Sequence, residues 1–212
     1  MKKILVLLAN GVEDMEAVTC IDILDRAGFS ITTASVESAD QGQDPLLIKG
    51  AHGVRFTADT QLVNVADDEF DCIVLPGGLP GADTLGKSTL VVEIIKQQIC
   101  DNKWVAAICA APVSVLVKNQ LYPEAYMTCY PSMQEMIPEY YRKTKRVMVD
   151  KMQHLITSQG PGTAQEFALE IVARLDGKEA AFTVGRELVL LPVIVYSDHS
   201  IETLKKAQEK NH

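Results

Sequence analysis

The 212-residue sequence lacks any apolar run long enough to cross a membrane. A spanning helix needs roughly 20 apolar residues, whereas the apolar run near the N-terminus, residues 4–9, has only six. Acidic residues follow that run in place of a small-residue cleavage site, so we interpret it as a buried strand and not as a signal peptide. We therefore expect no membrane partner.

Basic residues are also fewer than acidic residues. Lys and Arg number 20 against 28 Asp and Glu, which gives a formal net charge of −8. An acidic chain without a basic stripe repels phosphate groups, so nucleic acid is not an expected partner.

Cysteine and histidine are too few and too scattered for a disulfide scaffold or a metal site. The chain has five cysteines and four histidines, with no C-x-x-C pair and no Cys/His pair at ligand spacing. A disulfide framework and a structural zinc are both unexpected. Free thiols favour a reducing, cytoplasmic setting, and we expect no metal.

The sequence does contain a regular alternation of short apolar runs and helix-period segments. This alternation predicts an α/β fold, a mostly parallel sheet with helices on both faces. Strands are predicted at residues 4–9, 30–36, 71–75, 104–109, 146–150 and 154–157, with a small side hairpin at 46–49 and 54–58.

Helices are predicted between these strands by apolar spacing and by Gly or Pro punctuation. In the first helix we expect Met15, Val18, Ile21 and Leu24 to share the buried face. The predicted helices cover residues 14–27, 88–100, a segment ending near 117, 163–175 and 178–188.

The chain divides into one domain and a C-terminal extension. Residues 1–191 form the predicted α/β domain, because no linker, repeat or low-complexity stretch interrupts them. Residues 192–212 open apolar and close with lysines. We expect this extension to pack on the domain or on a dimer partner.

Parallel sheets bind ligands at the carboxyl ends of their strands, and Cys109 follows one such end. Two alanines come next, and Pro112 stands where the first turn of a helix accepts proline. This layout parallels a nucleophile elbow, in which a sharp turn lifts the side chain out of the sheet. Free N–H groups at the helix start would favour a thiolate, although a small buried core residue is the competing interpretation.

Two more strand ends carry candidate groups. Gly77 and Gly78 can bring backbone N–H groups close to a ligand, or form only a tight turn. The segment 157–163 runs into a helix through two glycines and Pro161. It is either a cap and turn or a wall of the pocket.

Glu16 is the candidate acid–base group. Three acids stand at the start of the first helix, where acids often serve only as solvated partners of the helix dipole. Glu16 differs because it shares a face with Thr19 and Cys20. A carboxyl aimed at a thiol in an apolar pocket would have a raised pKa and could transfer protons.

Four segments together resemble a known family. They are Glu-Asp-Met-Glu-Ala-Val at 13–18, Leu-Pro-Gly-Gly at 75–78, Ala-Ala-Ile-Cys-Ala-Ala-Pro at 106–112 and Thr-Ser-Gln-Gly-Pro-Gly-Thr at 157–163. Each is weak alone, but their order and separations are specific. Over residues 2–191 the chain resembles the ThiJ/PfpI family, in the branch called protein deglycase or glyoxalase III.

The resemblance implies a flavodoxin-like three-layer α/β/α sandwich, a homodimer and roles for named residues. Cys109 would be the nucleophilic, oxidation-sensitive cysteine, and Glu16 its hydrogen-bonded carboxyl. The N–H groups of Gly78 and Ala110 would form the oxyanion hole, with Gly77 beside them in the pocket.

Two positions depart from the patterns of relatives. Many relatives have His where this chain has Tyr130, and tyrosine is a poor base near neutral pH, with a reference pKa of about 10. Glu16 would then transfer protons alone, or turnover would be slow. The protease-like branch has His directly after the nucleophile, where this chain has Ala110, which disfavours a Cys–His peptidase.

These observations favour a cofactor-free enzyme acting on reactive dicarbonyls such as methylglyoxal, or on their early glycation adducts. A redox sensor or redox-controlled chaperone working through oxidation of Cys109 is the alternative, because it needs the same activated thiolate. A cysteine hydrolase or amidase would require a histidine near Cys109.

Overall fold

The structure is a computed structural model that describes residues 1–37 and 44–190. The predicted extension, residues 192–212, lies outside the described residues. No helix within these two ranges is long and apolar enough to cross a bilayer.

A seven-stranded sheet forms the centre of the described structure. Its order is β5-β2-β1-β6-β7-β9-β8, and only β8 runs antiparallel to its neighbour. The strands are β1 (Lys3–Leu8), β2 (Ser30–Ser35), β5 (Thr60–Gln61), β6 (Cys72–Leu75), β7 (Trp104–Ile108), β8 (Val147–Asp150) and β9 (Leu155–Ser158). The predicted side hairpin is confirmed as an antiparallel pair, β3 (Leu47–Lys49) and β4 (Arg55–Thr57).

Helices cover both faces of the sheet, as predicted. One group packs α1 on α4 and α4 on α5, and the other packs α2 on α3 and on a π-helix. Strand β2 lies on one side of β1 and strand β6 lies on the other. Because crossovers between parallel strands are right-handed, connections that run to opposite sides place their helices on opposite faces of the sheet. The helices are α1 (Asp14–Arg26), α2 (Leu79–Lys87), α3 (Thr89–Cys100), the π-helix (Pro112–Val117), α4 (Ala164–Leu175) and α5 (Lys178–Glu187). The three-layer α/β/α prediction is confirmed.

The central strands are buried on both faces. Ile4–Leu8 of β1 are at most 1% exposed, and β6 and most of β7 are equally enclosed. This burial explains why these strands read as continuous apolar runs without alternation.

The predicted buried face of α1 is only partly correct: Leu24 is buried and Ile21 is half-buried, but the other two predicted members are exposed. Met15 and Val18 are 58% and 49% exposed. A uniform spacing of three residues drifts around a helix by about 60° per step, since each residue turns the helix by about 100°. The buried stripe of α1 instead contains Glu16, Ala17, Cys20, Ile23 and Leu24.

Helix α2 was not predicted, because the sequence indicated only a turn at residues 76–78 and a helix from 88. Pro80 and two glycines give this segment low helix propensity. Ser88 ends α2 and also caps α3, where its hydroxyl accepts the Val91 N–H at 3.3 Å. The segment after Cys109 was predicted as an ordinary helix, but residues 112–117 form a π-helix.

Candidate active site

Cys109 occupies a sharp turn at the carboxyl end of β7. Its φ of 64° lies in the left-handed region, which non-glycine residues seldom adopt and which is often found at functional sites. The turn is held on both sides: the Cys109 N–H donates to the Ser158 carbonyl at 3.0 Å, and the Tyr130 N–H donates to the Cys109 carbonyl at 2.8 Å. The residue is 8% exposed.

Two backbone N–H groups donate toward the Cys109 sulfur, those of Gly78 and Ala110. Gly78 stands at the N-cap of α2 with a φ of 83°. A Cβ there would lie 2.5 Å from the Glu13 nitrogen, so only glycine fits. The structure thus brings both residues of the expected oxyanion hole to the sulfur.

Glu16 is fully buried beside the thiol. Its Oε2 accepts the Gly77 N–H at 2.7 Å, while Oε1 is buried without a hydrogen-bond partner among the described residues. A Cβ on Gly77 would lie 2.5 Å from the Cys109 Cβ and 2.8 Å from Glu16 Oε2. The carboxyl and the thiol therefore approach each other across a position that only glycine can occupy.

Tyr130 and Pro161 lie on one side of Cys109. The Tyr130 ring would be 3.4 Å from a Cβ on Gly160, and its side chain is 44% exposed. Pro161 follows Gly160 and begins a short 3₁₀ turn, Pro161–Thr163. The role of Tyr130 and Pro161 as pocket residues stays a prediction.

The site lies at the switch point of the sheet. The strand order reverses at β1, with β2 on one side and β6 on the other. Helix α1, which carries Glu16, follows β1, and the turn with Gly77 and Gly78 follows β6. Open α/β sheets bind ligands at such points.

A model of the DJ-1/PfpI family matches residues 2–174.

The chain belongs to the DJ-1/PfpI family.

Relatives across much of the family's range support this assignment. The dj-1beta protein of Drosophila melanogaster is 40% identical over 189 residues, which cover 89% of this chain and 97% of the relative. A protein of Caenorhabditis elegans named glutathione-independent glyoxalase is 33% identical over 190 residues, 89% of this chain and 97% of the relative. The crystal structure of oxidized Toxoplasma gondii DJ-1 has a TM-score of 0.84 at 34% identity, and the match covers 89% of this chain and 98% of that one.

The electrostatics of the Cys109–Glu16 pair differ from those predicted for an acidic thiol. Burial, and after it the Glu16 charge, raise the pKa of Cys109 to about 12 against the opposing effect of the Gly78 and Ala110 N–H groups. The prediction of a lowered thiol pKa is therefore wrong. It considered the N–H donors at the turn but not the low-dielectric surroundings or the neighbouring negative charge.

The pKa of Glu16 is raised, as predicted. Burial raises it to about 7 against the Gly77 N–H and the thiol, which favour the charged form, and the nearby Glu13 carboxylate adds to the rise. Above pH 7 the pair therefore holds one proton and one negative charge. A carboxylate beside a thiol can accept the thiol proton as the sulfur attacks, as the base does for other activated nucleophiles.

Two acids next to Glu16 are also buried, although acids at a helix start are usually solvated. Glu13 and Asp14 are each 6% exposed. Glu13 Oε2 caps α1 by accepting the Glu16 N–H at 2.7 Å, and Glu13 Oε1 lies 4.0 Å from His52 Nε2. The density of three acids in four residues was the signal for this cluster, but only the fold shows that they point inward.

Asp14 attaches the turn between β3 and β4 to α1. Its two carboxylate oxygens accept the N–H groups of His52 and Val54, each at 2.8 Å. These bonds lower the pKa of Asp14 although burial opposes the shift.

We predict that Asp14→Ala lowers the free energy of unfolding by about 2–3 kcal/mol, because it leaves two N–H groups without an acceptor. A lowered folded-state pKa means that this stabilisation is present at neutral pH and is lost as the pH falls below about 4. Urea denaturation at pH 7 and pH 4 measures both effects. Asp22→Ala, in an exposed pair with Arg26 on the same helix, is the control and should change stability by less than about 1 kcal/mol. Equal losses in the two variants would contradict the prediction.

Neither described histidine forms a catalytic pair with Cys109. His52 reaches Glu13, and its side chain is 76% exposed. His154 precedes β9 and packs edge-on against Trp104 at the start of β7, with ring centroids 4.8 Å apart. Because β7 and β9 are parallel, this contact lies at the amino ends of both strands, whereas Cys109 lies at the carboxyl end of β7. The described residues give no support to a Cys–His hydrolase or amidase.

Proposed function

We propose that this protein is a cofactor-free glyoxalase that converts methylglyoxal and related dicarbonyls to hydroxy acids, and that it releases the same groups from early glycation adducts. One arrangement carries the proposal. A buried carboxyl with a pKa of about 7 lies beside a thiol, and two backbone N–H groups face the sulfur. The name of the C. elegans relative, a glutathione-independent glyoxalase, supports the same reaction class.

The first step forms a bond between the Cys109 sulfur and the aldehyde carbon. The Glu16 carboxylate accepts the thiol proton as the C–S bond forms. The electron pair of the C=O bond moves to the oxygen, whose negative charge develops beside the N–H groups of Gly78 and Ala110. Protonation of that oxygen by Glu16 gives a hemithioacetal and restores the carboxylate.

The second step moves a proton between the two carbons. Glu16 removes the proton from the carbon bonded to sulfur, and the resulting enediol takes a proton at the neighbouring carbon. The product is a thioester of lactate with Cys109. Water then attacks the thioester carbonyl, lactate leaves, and the thiol is regenerated, so the balance is one methylglyoxal and one water per lactate.

Deglycation follows from the same chemistry. An early adduct of methylglyoxal with an amine or a thiol is in equilibrium with the free aldehyde or exposes the same carbon to Cys109. Attack by sulfur expels the amine or thiol in place of opening a carbonyl group.

The direct experiment measures lactate formed from methylglyoxal without glutathione and without added metal or nucleotide. Continuous formation of lactate over many turnovers per protein molecule is the expected result. Consumption of one methylglyoxal per protein molecule without lactate would reject the proposal.

Peroxide sensing, including redox control of a chaperone, is the second candidate. The donors that face the sulfur would also bind the oxygens of an oxidised cysteine, and the T. gondii relative was solved in an oxidized form. One peroxide would transfer one oxygen to the sulfur as its O–O bond breaks, giving sulfenic acid and water or an alcohol, and a second peroxide would oxidise the sulfenic acid to sulfinic acid in the same way. Stoichiometric oxidation of Cys109 by peroxide, in a protein that forms no lactate, would favour this role.

We also propose that the protein acts as a cytoplasmic homodimer that pairs through α1. Met15 and Val18 project from this helix, and Val54 lies close by because its N–H bonds to Asp14. Adjacent exposed apolar side chains commonly mark contacts between proteins.

Met15→Asp combined with Val18→Asp is expected to give a monomer, because each carboxylate would be desolvated at the interface. Light scattering after size-exclusion chromatography measures the mass, with Phe182→Asp, an exposed site on α5, as the control. A wild-type monomer, or a variant that remains dimeric, would contradict this pairing.

A further inference from the structure

The two N–H groups that face Cys109 belong to two different helical segments. Gly78 is the N-cap of α2, and Ala110 lies two residues before the π-helix. The distance between the donors therefore depends on how α2 packs against the π-helix. The contacts between these segments consequently bear on the geometry around the sulfur.

A carboxylate on α2 connects the segments. Asp83 Oδ1 accepts a hydrogen bond from Ser114 Oγ at 3.0 Å and another from Lys118 Nζ at 2.9 Å. Ser114 is 1% exposed and the Asp83 side chain is 35% exposed, so the bond between them is half-buried. The hydrogen bond from Lys118 lowers the pKa of Asp83, burial opposes this shift, and Ser114 lowers the pKa further, so the carboxylate is charged at neutral pH.

A second connection between α2 and the π-helix segment lies about one turn further along both. Asn119 Nδ2 donates to the carbonyls of Gly86 and Val115, both at 2.9 Å. A Cβ on Gly86 would overlap the Ser114 carbonyl oxygen, so the two backbones are in direct contact. The segments are thus joined at two levels by side chains and between them by backbone packing.

The π-helix itself is an uncommon conformation. Its wide turns are seen in the bonds from Lys118 N–H to the Val113 carbonyl at 3.1 Å and from Leu121 N–H to the Leu116 carbonyl at 2.9 Å. Such turns are rare and are often found at functional sites. Here Asp83 and Asn119 link the π-helix to α2.

We propose that Asp83, through Ser114, is a positioning residue that holds the N–H groups of Gly78 and Ala110 at their working distance from the Cys109 sulfur. This inference rests on the proposed function for its effect on turnover. Its effect on the sulfur does not depend on the substrate. Asp83 and Ser114 act through the backbone and are not catalytic residues.

The test measures the rate of alkylation of Cys109 by iodoacetamide from pH 6 to 10, quantified by mass spectrometry on the peptide that contains it. Displacement of donors by even 1 Å can cost up to about a hundredfold in rate. In Asp83→Ala we expect alkylation at pH 8 to fall about tenfold and kcat for methylglyoxal to fall similarly, with little change in KM. Asp83→Asn keeps an acceptor for Ser114 and should recover most of both rates.

Two controls separate positioning from general weakening. Lys118→Met removes the exposed partner of Asp83 but keeps Ser114, so its alkylation rate should stay within about twofold of wild type. Ile95→Val, in the core of α3, should lower the melting temperature without slowing alkylation. If Asp83→Ala does not fold, Ser114→Ala replaces it, with Ser114→Thr as its conservative partner.

The outcomes distinguish this proposal from the proposed function. Wild-type alkylation rates in Asp83→Ala, or equal slowing in Asp83→Ala and Asp83→Asn, would overturn the positioning role. A wild-type protein that forms no lactate but shows the expected alkylation series would overturn the glyoxalase activity and leave the positioning role supported.

Discussion

Cys109→Ala is expected to abolish lactate formation from methylglyoxal, lowering kcat/KM by on the order of 10³-fold or more, as loss of a covalent nucleophile does in other enzymes. The reason is that no other described thiol combines a neighbouring carboxyl with two N–H donors. Cys20, Cys72 and Cys129 are each 0% exposed, whereas Cys109 is 8% exposed. Lactate measured over time at neutral pH gives the comparison.

Cys100→Ala is the matched control for Cys109→Ala. Cys100 is the exposed cysteine at the end of α3, and it would take part in any unspecific reaction of thiols with methylglyoxal. Its replacement should leave kcat/KM unchanged. Substantial turnover in Cys109→Ala, or a large loss in Cys100→Ala, would show that the chemistry does not depend on the turn after β7.

Glu16→Gln is expected to lower kcat by about 10²–10⁴-fold, the range typical for loss of a general acid–base group. The amide keeps an oxygen for the Gly77 N–H, so the loss reports the missing proton carrier and not a collapsed site. In the wild type, kcat/KM should rise with pH through an ionisation near 7, because the carboxylate form of Glu16 accepts the thiol proton. The residual activity of Glu16→Gln should lack this ionisation.

The free energy of unfolding should fall as the Glu16 carboxyl ionises, whereas kcat/KM should rise. The pKa of Glu16 is raised from 4.5 to about 7 on folding, so the folded state favours the protonated form. Its stabilising effect is complete below about pH 4.5 and is lost as the pH rises through 7. Relative to Glu16→Gln, the wild type should lose up to about 3 kcal/mol of unfolding free energy between pH 4 and 8. Parallel pH profiles of the two proteins would contradict the burial of an ionisable carboxyl at this position.

Much of the fold follows from local sequence patterns. The run at residues 4–9 is apolar at every position because β1 is buried on both faces, and the glycine and serine-rich strand ends define the loops of the site. The first helix shows where the pattern misleads. Two of its apolar side chains, Met15 and Val18, are exposed, while Glu16 is fully buried. The buried stripe of α1 therefore combines the site carboxyl with the apolar residues Ala17, Cys20, Ile23 and Leu24.

The site could be located from the sequence more readily than its electrostatics. Small residues around Cys109 and the following Pro112 indicate the turn, and the rule of carboxyl strand ends brings Gly77, Gly78 and Glu16 to it. The direction of the thiol pKa depends on burial depth and on the position of a carboxyl from a distant segment. The connection from Asp83 to Ser114 could not be predicted either, because the sequence pattern did not indicate α2 and indicated an ordinary helix where the π-helix lies.

The most direct test of the account is a rapid-quench experiment that looks for a lactate thioester on Cys109. Wild-type protein is mixed with methylglyoxal, quenched in acid within the first turnover and treated with hydroxylamine. Hydroxylamine converts a thioester to a hydroxamate, whereas a hemithioacetal yields no hydroxamate. The proposed mechanism predicts up to one equivalent of lactohydroxamate in the wild type. It predicts none in Cys109→Ala and, on the same timescale, none in Glu16→Gln. Lactate that accumulates in the wild type without any trapped thioester would contradict it.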